Sequence, residues 1–182
     1  MRGTRLERTV MAPRVRTARL LLRPHRLSDA AAWHVLQSDP DVLRYLPWPP
    51  RSARASRRHL RHRTRHIRLS QAGDFLALAV ELDGRLIGDV SLHLREVAAD
   101  DRRAEIGWII GTEWAGHGYA TEAAAAMLRF AFDTLGARFV SAVMDPENER
   151  SQLLAQRLGF LQVGEAGRER TMLLGRDRFS RG

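Results

Sequence analysis

The chain has 182 residues and no cysteine, so disulfides, thiolate metal sites and a cysteine nucleophile are excluded. Its formal charge is +9, and all 30 basic residues are arginine, which removes any lysine base or Schiff base and favours anionic ligands. Hydrophobic content of 44% suits one globular domain, and no stretch approaches the roughly 18 apolar residues of a membrane span.

The N-terminus, MRGTRLERTVMAPRVR, is basic and has no apolar secretory core. It reads as a flexible basic extension over residues 1–16, ahead of one domain over 17–182, with Met11 as a second candidate start. A cytoplasmic location is the expectation. ARLLLRP, from Ala18 to Pro24, reads as a first strand, and LSDAAAWHVLQSD as a helix closed by Asp39-Pro40. Tyr45 and Trp48 fall in a loop stiffened by prolines. Arg51 to Ser70 carries eight arginines and three histidines, with Leu60, Thr64 and Ile67 at helical spacing. This stretch reads as one amphipathic helix. His59, His62 and His66 share that helix, but its positive charge argues against a metal site there.

Two strands follow around Asp83-Gly84, a strong hairpin signal. RAEIGWIIG is another strand, and YATEAAAAMLRFAFDTLG a helix to be buried against a sheet. ARFVSAVMD is a strand, ENERSQLLAQRLG a short helix, and FLQVGEAGRERTMLLG a hairpin about Ala166-Gly167. The order predicts an α/β fold with a single mixed, mostly antiparallel sheet flanked by helices.

The stretch GTEWAGHGYATEA puts three glycines into eight residues, between a strand and a helix start. Such a turn aims unpaired N–H groups and the positive helix end at one point, a general way to bind phosphate. Neither GxxxxGK[ST] nor a full GxGxxG is present. A tight turn that binds nothing is the alternative.

AGHGYATEA resembles the acyl-CoA pyrophosphate loop of the GNAT (Gcn5-related) N-acetyltransferase superfamily, Q/R-x-x-G-x-G/A. Gly118 and Ala120 match, while Ala115 stands where the family has Gln or Arg. ARLLLRP, PDVLRYLPWPP, AEIGWII and NERSQLLAQRLGF resemble, in that order, motifs of the RimJ/RimL-type branch. The resemblance implies a GNAT fold with a splayed strand pair, acetyl-CoA as co-substrate, and no metal. It implies an amine acceptor, either a protein N-terminus or a small molecule, that attacks the thioester directly. A homodimer is a further expectation, and no membrane or nucleic-acid partner is expected.

The resemblance also assigns residues. The backbone of Gly116, His117, Gly118, Tyr119, Ala120 and Thr121 would hold the pyrophosphate. Ile110 would bond the pantetheine, with an amide at Ile109 or Ile110 as oxyanion donor, and Asn148 would touch the cofactor. Glu105 would take the ammonium proton through water, since only a neutral amine is nucleophilic. Many relatives protonate the thiolate with a tyrosine four residues before the glycine of GF. Here that position is Ala155, and Ser151 is the substitute. Trp33, Tyr45 and Trp48 would line the acceptor pocket, although core packing competes for each. Two other classes stay open on the sequence: a nucleic-acid module built on Arg51–Arg68, and a GNAT fold that binds acyl-CoA without transfer.

Overall fold

The computed structural model describes residues 5–180. Ten strands and six helices are given by the chain order: β1 Arg5–Met11, β2 Val15–Arg16, β3 Leu21–Pro24, α1 Ala30–Leu36, α2 Pro40–Leu43, α3 Ala53–Arg63, β4 Arg68–Gln71, β5 Phe75–Leu82, β6 Arg85–Glu96, β7 Arg103–Ile110, α4 Tyr119–Arg129, β8 Phe139–Met144, α5 Glu149–Arg157, β9 Leu161–Ala166, β10 Glu169–Gly175 and α6 Arg176–Phe179. Eight strands form one sheet in the order β2-β3-β5-β6-β7-β8-β10-β9. Only the β7–β8 pair is parallel. The mixed, mostly antiparallel sheet matches the sequence expectation.

Two expectations need correction. The flexible extension expected over residues 1–16 is strand-paired in its described part, and residues 1–4 lie outside the described residues. Arg5–Met11 pairs antiparallel with β4 in a separate two-stranded sheet, and Val15–Arg16 pairs with β3. The arginine-rich stretch is not one helix to Ser70. Ser52 caps α3 by accepting from the Ala55 amide, and the helix stops at Thr64, after which residues 68–71 turn into β4. β4 needs its backbone for pairing with β1, so the continuing periodicity of Ile67 does not extend the helix.

The β5–β6 hairpin turns at Asp83 (φ 47°) and Gly84 (φ 80°), two successive left-handed residues as a type I′ turn requires. Along β6, Val90, Leu92 and Leu94 are fully buried, while Asp89, Ser91 and His93 alternate with them on the opposite face. The first set joins the main core with α4, where Ala123, Ala124 and Ala126 let the helix approach the sheet closely. The second set faces the side covered by α1 and α3, whose smaller core is Trp33, Leu36 and Leu60. This two-faced strand places polar side chains under a helical roof.

Candidate active site

β7 runs beside β8 for only three residue pairs, Arg103–Glu105 against Phe139–Ser141. On its other edge it stays paired with β6 as far as Ile110. Beyond Glu105 the two parallel strands therefore part. The carbonyl of Ala104 accepts from the Ser141 hydroxyl on β8, whereas the Gly111 amide donates to the carbonyl of Ile87 in β6. Backbone groups of an antiparallel strand alternate in direction. Ile106, Trp108 and Ile110 thus present their amides and carbonyls to the gap, and Ile109 turns its own to β6. Of the two amides expected as oxyanion donors, that of Ile110 faces the gap and that of Ile109 faces β6.

β7 leads through a short turn at Thr112–Trp114 into the glycine loop. Gly116 (φ 83°) and Gly118 (φ 79°) are both left-handed, a conformation that other L-residues adopt only with strain. Gly118 is also the N-cap of α4. The first loop-to-helix backbone bond runs from Glu122 N–H to Gly118 C=O. The amides of residues 116–121 find no acceptor among the described residues. Six amides without an acceptor among the described residues thus lie at or just before the positive end of an eleven-residue helix, the kind of place where an anion is held. The His117 ring turns back on its own loop, with Nδ1 3.0 Å from the Ala115 carbonyl, and stacks on Tyr119.

A residue not anticipated from sequence packs against this loop. Arg19 donates to the His117 carbonyl at 2.8 Å, and its guanidinium lies 4.5 Å from the centre of the Tyr119 ring. It also pairs with Glu122 at 2.7 Å. Burial acts to raise the Glu122 pKa, but bonds from Thr17 and Arg19 hold it below the usual carboxylate range. Ala115 offers no cation to the loop, and Arg19 brings one from the start of the domain.

A cavity of about 680 Å³ opens between the parted strands and the helical roof. Glu105, Trp108 and Ile109 of β7 line it, with Asn148 at the start of α5, Ser151 of α5, and Tyr45 and Trp48 of the loop after α2. Asn148 caps α5 by accepting from the Ser151 amide at 3.1 Å. The Ser151 hydroxyl does not bond its own helix. It accepts from the Trp108 indole at 3.3 Å. Trp33 is only 1% exposed and forms wall rather than surface, with Arg63 stacked 5.2 Å from its ring centre.

Glu105 takes a two-pronged bond from Arg95, at 2.9 and 3.2 Å, and faces His93 across the ladder. His93 lines the same cavity and was missed from sequence. Its burial, then the charge of Arg95, holds it below the ordinary histidine pKa, so it is neutral at pH 7 and able to accept a proton. Beneath them Asp89 is fully buried, bonded by His25 at 2.6 Å and by both arms of Arg63. Burial pushes its pKa up, and Arg63 and His25 more than reverse that.

Residues 19–161 match the acetyltransferase (GNAT) domain family model. The chain is 33% identical over 144 residues to the spermidine N(1)-acetyltransferase of Escherichia coli K12, covering 79% of this chain and 74% of that protein. Among solved structures, a GNAT-family acetyltransferase from Bacillus anthracis superposes with a TM-score of 0.77 at 24% identity, covering 91% of this chain and 99% of that one. Mycobacterium smegmatis RimJ, in complex with CoA-disulfide, superposes with a TM-score of 0.71 at 26% identity, covering 93% and 88%. The parted parallel strands, the glycine cradle and these matches lead to one assignment: the chain belongs to the GNAT acetyltransferase family.

Proposed function

We propose that this protein moves an acetyl group from acetyl-CoA to a primary amine by direct attack in a ternary complex. The observation that carries the reading is the coincidence of two features at one end of β7. The strand leaves β8 with its Trp108 and Ile110 backbone facing the gap, and six unpartnered amides gather one short turn later. A diphosphate fits the amides, and an extended pantetheine arm fits the strand edge as a further strand would. Gly116, Gly118, Tyr119, Ala120, Thr121 and the backbone of His117 hold the phosphates, with Arg19 beside them.

In the transfer step the amine nitrogen bonds the acetyl carbonyl carbon and the carbon–sulfur bond breaks. The ammonium proton leaves first, to Glu105 through water, with His93 directly opposite as the second acceptor. The Ile110 amide faces the developing oxyanion. Ser151 gives its proton toward the departing sulfur and regains one from the second proton that the nitrogen sheds as the amide forms, and the Trp108 indole fixes the hydroxyl so that its proton points away from the ring. Asn148 positions Ser151 through the helix cap. Tyr45 and Trp48 close the acceptor side.

The acceptor class is a protein N-terminus or a small-molecule amine. The Asn148-x-x-Ser151 spacing and the likeness to RimJ favour the RimJ/RimL-type branch. The basic helix does not favour a nucleic-acid module, because His59 and Arg63 of α3, with Arg51 just before it, line the cavity. The test is release of free thiol from acetyl-CoA across a panel of amines and N-terminal peptides. Amine-dependent release supports transfer. Tight acetyl-CoA binding with no release for any amine would leave a non-catalytic binder instead.

A further inference from the structure

The cavity has two kinds of charged wall. Where β6 and β7 form it, each acid has a cation: Asp89 holds Arg63, and Glu105 holds Arg95. Asp145, at the end of β8, holds Arg168. Glu169 lies on β10, beyond β8, and is exposed. Where the helical roof and the loop before α3 form the wall, the charges without an opposite partner are positive. Arg51 is partly buried there, and its one hydrogen bond among the described residues goes to the carboxamide oxygen of Gln37, itself 1% exposed. The Trp48 ring lies 5.4 Å from its guanidinium. Burial first, and then the charge of Arg63, holds the Arg51 pKa below the usual guanidinium value. Its charge is therefore poorly compensated. Arg44 on the same loop also has no acidic partner among the described residues, its guanidinium lying 5.6 Å from the Tyr45 ring centre.

An independent observation comes from the ring nitrogens of this wall. Trp33 Nε1, Trp48 Nε1 and His59 Nδ1 are buried and have no hydrogen-bond partner. All three residues line the cavity. An indole nitrogen only donates, so what these two lack is an acceptor oxygen. Burial, then the charges of Arg63 and Arg51, pushes His59 down to about 4, so it is neutral at pH 7 and adds no positive charge to the wall. Cations without acids thus gather on one wall, beside two buried indole N–H groups that have no acceptor among the described residues. Such a wall is complementary to anionic oxygens.

We propose that the acceptor amine carries an anionic group, a carboxylate or a phosphate, and that Arg51 pairs with it at the α1–α3 wall while the amine faces Glu105. This rests on the transfer reading above. The tryptophan and histidine rings around Arg51 lower the local dielectric and strengthen the pair. A polyamine meets Arg51 and Arg44 with like charge, so its use is suppressed. This chain then differs in acceptor from the spermidine enzyme it resembles over 144 residues.

The experiment compares matched acceptors with acetyl-CoA as donor, following free thiol. Free α-amino acids are set against their carboxamides, aminoalkyl phosphates against the amino alcohols, and spermidine serves as the polycation. The expected result is at least a tenfold preference in kcat/KM for the anionic member of one pair. Which pair shows it identifies carboxylate or phosphate. Arg51→Gln brings the ratio near one, and Arg51→Lys restores part of it. Melting temperatures of both variants confirm that they fold. Equal or better use of the uncharged members or of spermidine overturns the proposal, as does an Arg51→Gln variant that keeps the preference. If no amine releases thiol, the transfer reading fails separately. Calorimetry of the preferred carboxylate or phosphate compounds against wild type and Arg51→Gln then decides the anion site. Binding lost in the variant upholds it, and no binding to wild type overturns it.

Discussion

The indole nitrogen of Trp108 donates to the hydroxyl of Ser151 at 3.3 Å, linking β7 to the first turn of α5 across the opening between the parted strands. One lone pair of the hydroxyl is engaged and its proton is left for another acceptor. That is the state a group needs if it is to meet a departing thiolate. Ser151→Ala is expected to lower kcat about 100-fold, the lower end for a positioned proton donor. Acetyl-CoA affinity by calorimetry should move less than about threefold, since one hydrogen bond is at stake. Trp108→Phe keeps the hydroxyl and loses its orientation, so its loss should be smaller. Equal kcat in wild type and Ser151→Ala would remove Ser151 from the chemistry.

Gly118→Glu places a carboxylate at the centre of the amide cradle and should abolish acetyl-CoA binding. The left-handed φ of 79° penalises any side chain there, so Gly118→Ala is the control. The control should fold, cost about 1–3 kcal/mol in stability, and keep measurable affinity. Arg19→Ala should weaken binding about tenfold, as expected for loss of one charge-assisted contact. Undiminished heat of binding in Gly118→Glu would refute the cradle.

Glu105→Gln breaks an ion pair whose arginine is half exposed, so its effect on stability should be small, about 0–1 kcal/mol. Its effect on turnover should be large, about 100-fold, and greatest below the pKa of the acceptor amine. A pH–rate profile checks this. A uniform, pH-independent loss would transfer the base to His93, and His93→Gln would then show the pH-dependent loss.

His59, His66 and His93 are all held below the ordinary histidine pKa, chiefly by burial, and His59 lies at about 4. The unfolded chain takes up their protons first, near pH 6.5. Stability supplied by neutral histidine is therefore whole above that pH and drains as pH falls toward 4. The depressed carboxylates Asp29, Asp89 and Glu122 lose theirs only below the ordinary carboxylate range. Urea midpoints should fall from pH 7.5 to pH 5, and His59→Gln should flatten that slope. An unchanged slope would show that His59 is not desolvated in the folded chain.

What sequence could reveal here depended on the range of the cause. The Asp83-Gly84 turn, the stop at Gly136 (φ 76°) and the strand before the glycine loop are local, and each appears where expected. The pairing of β1 with β4 joins segments about 60 residues apart, and neither segment has an amphipathic pattern of its own. Arg19 acts on His117 from 98 residues away, so no spacing could disclose it. The cavity floor was legible and went unread. Asp89-Val90-Ser91-Leu92-His93-Leu94 alternates polar and apolar within a buried strand, which marks a face that meets neither solvent nor core.

The central claim is that backbone amides of the loop and of β7 together receive acetyl-CoA. Amide NMR spectra of the 15N-labelled protein, titrated with acetyl-CoA, test it most directly. The expected result is large, saturable shifts at Gly116, Gly118, Tyr119, Ala120, Thr121, Trp108 and Ile110, with Ile109 much less affected. Saturable binding that leaves those amides still and perturbs another surface would contradict the account.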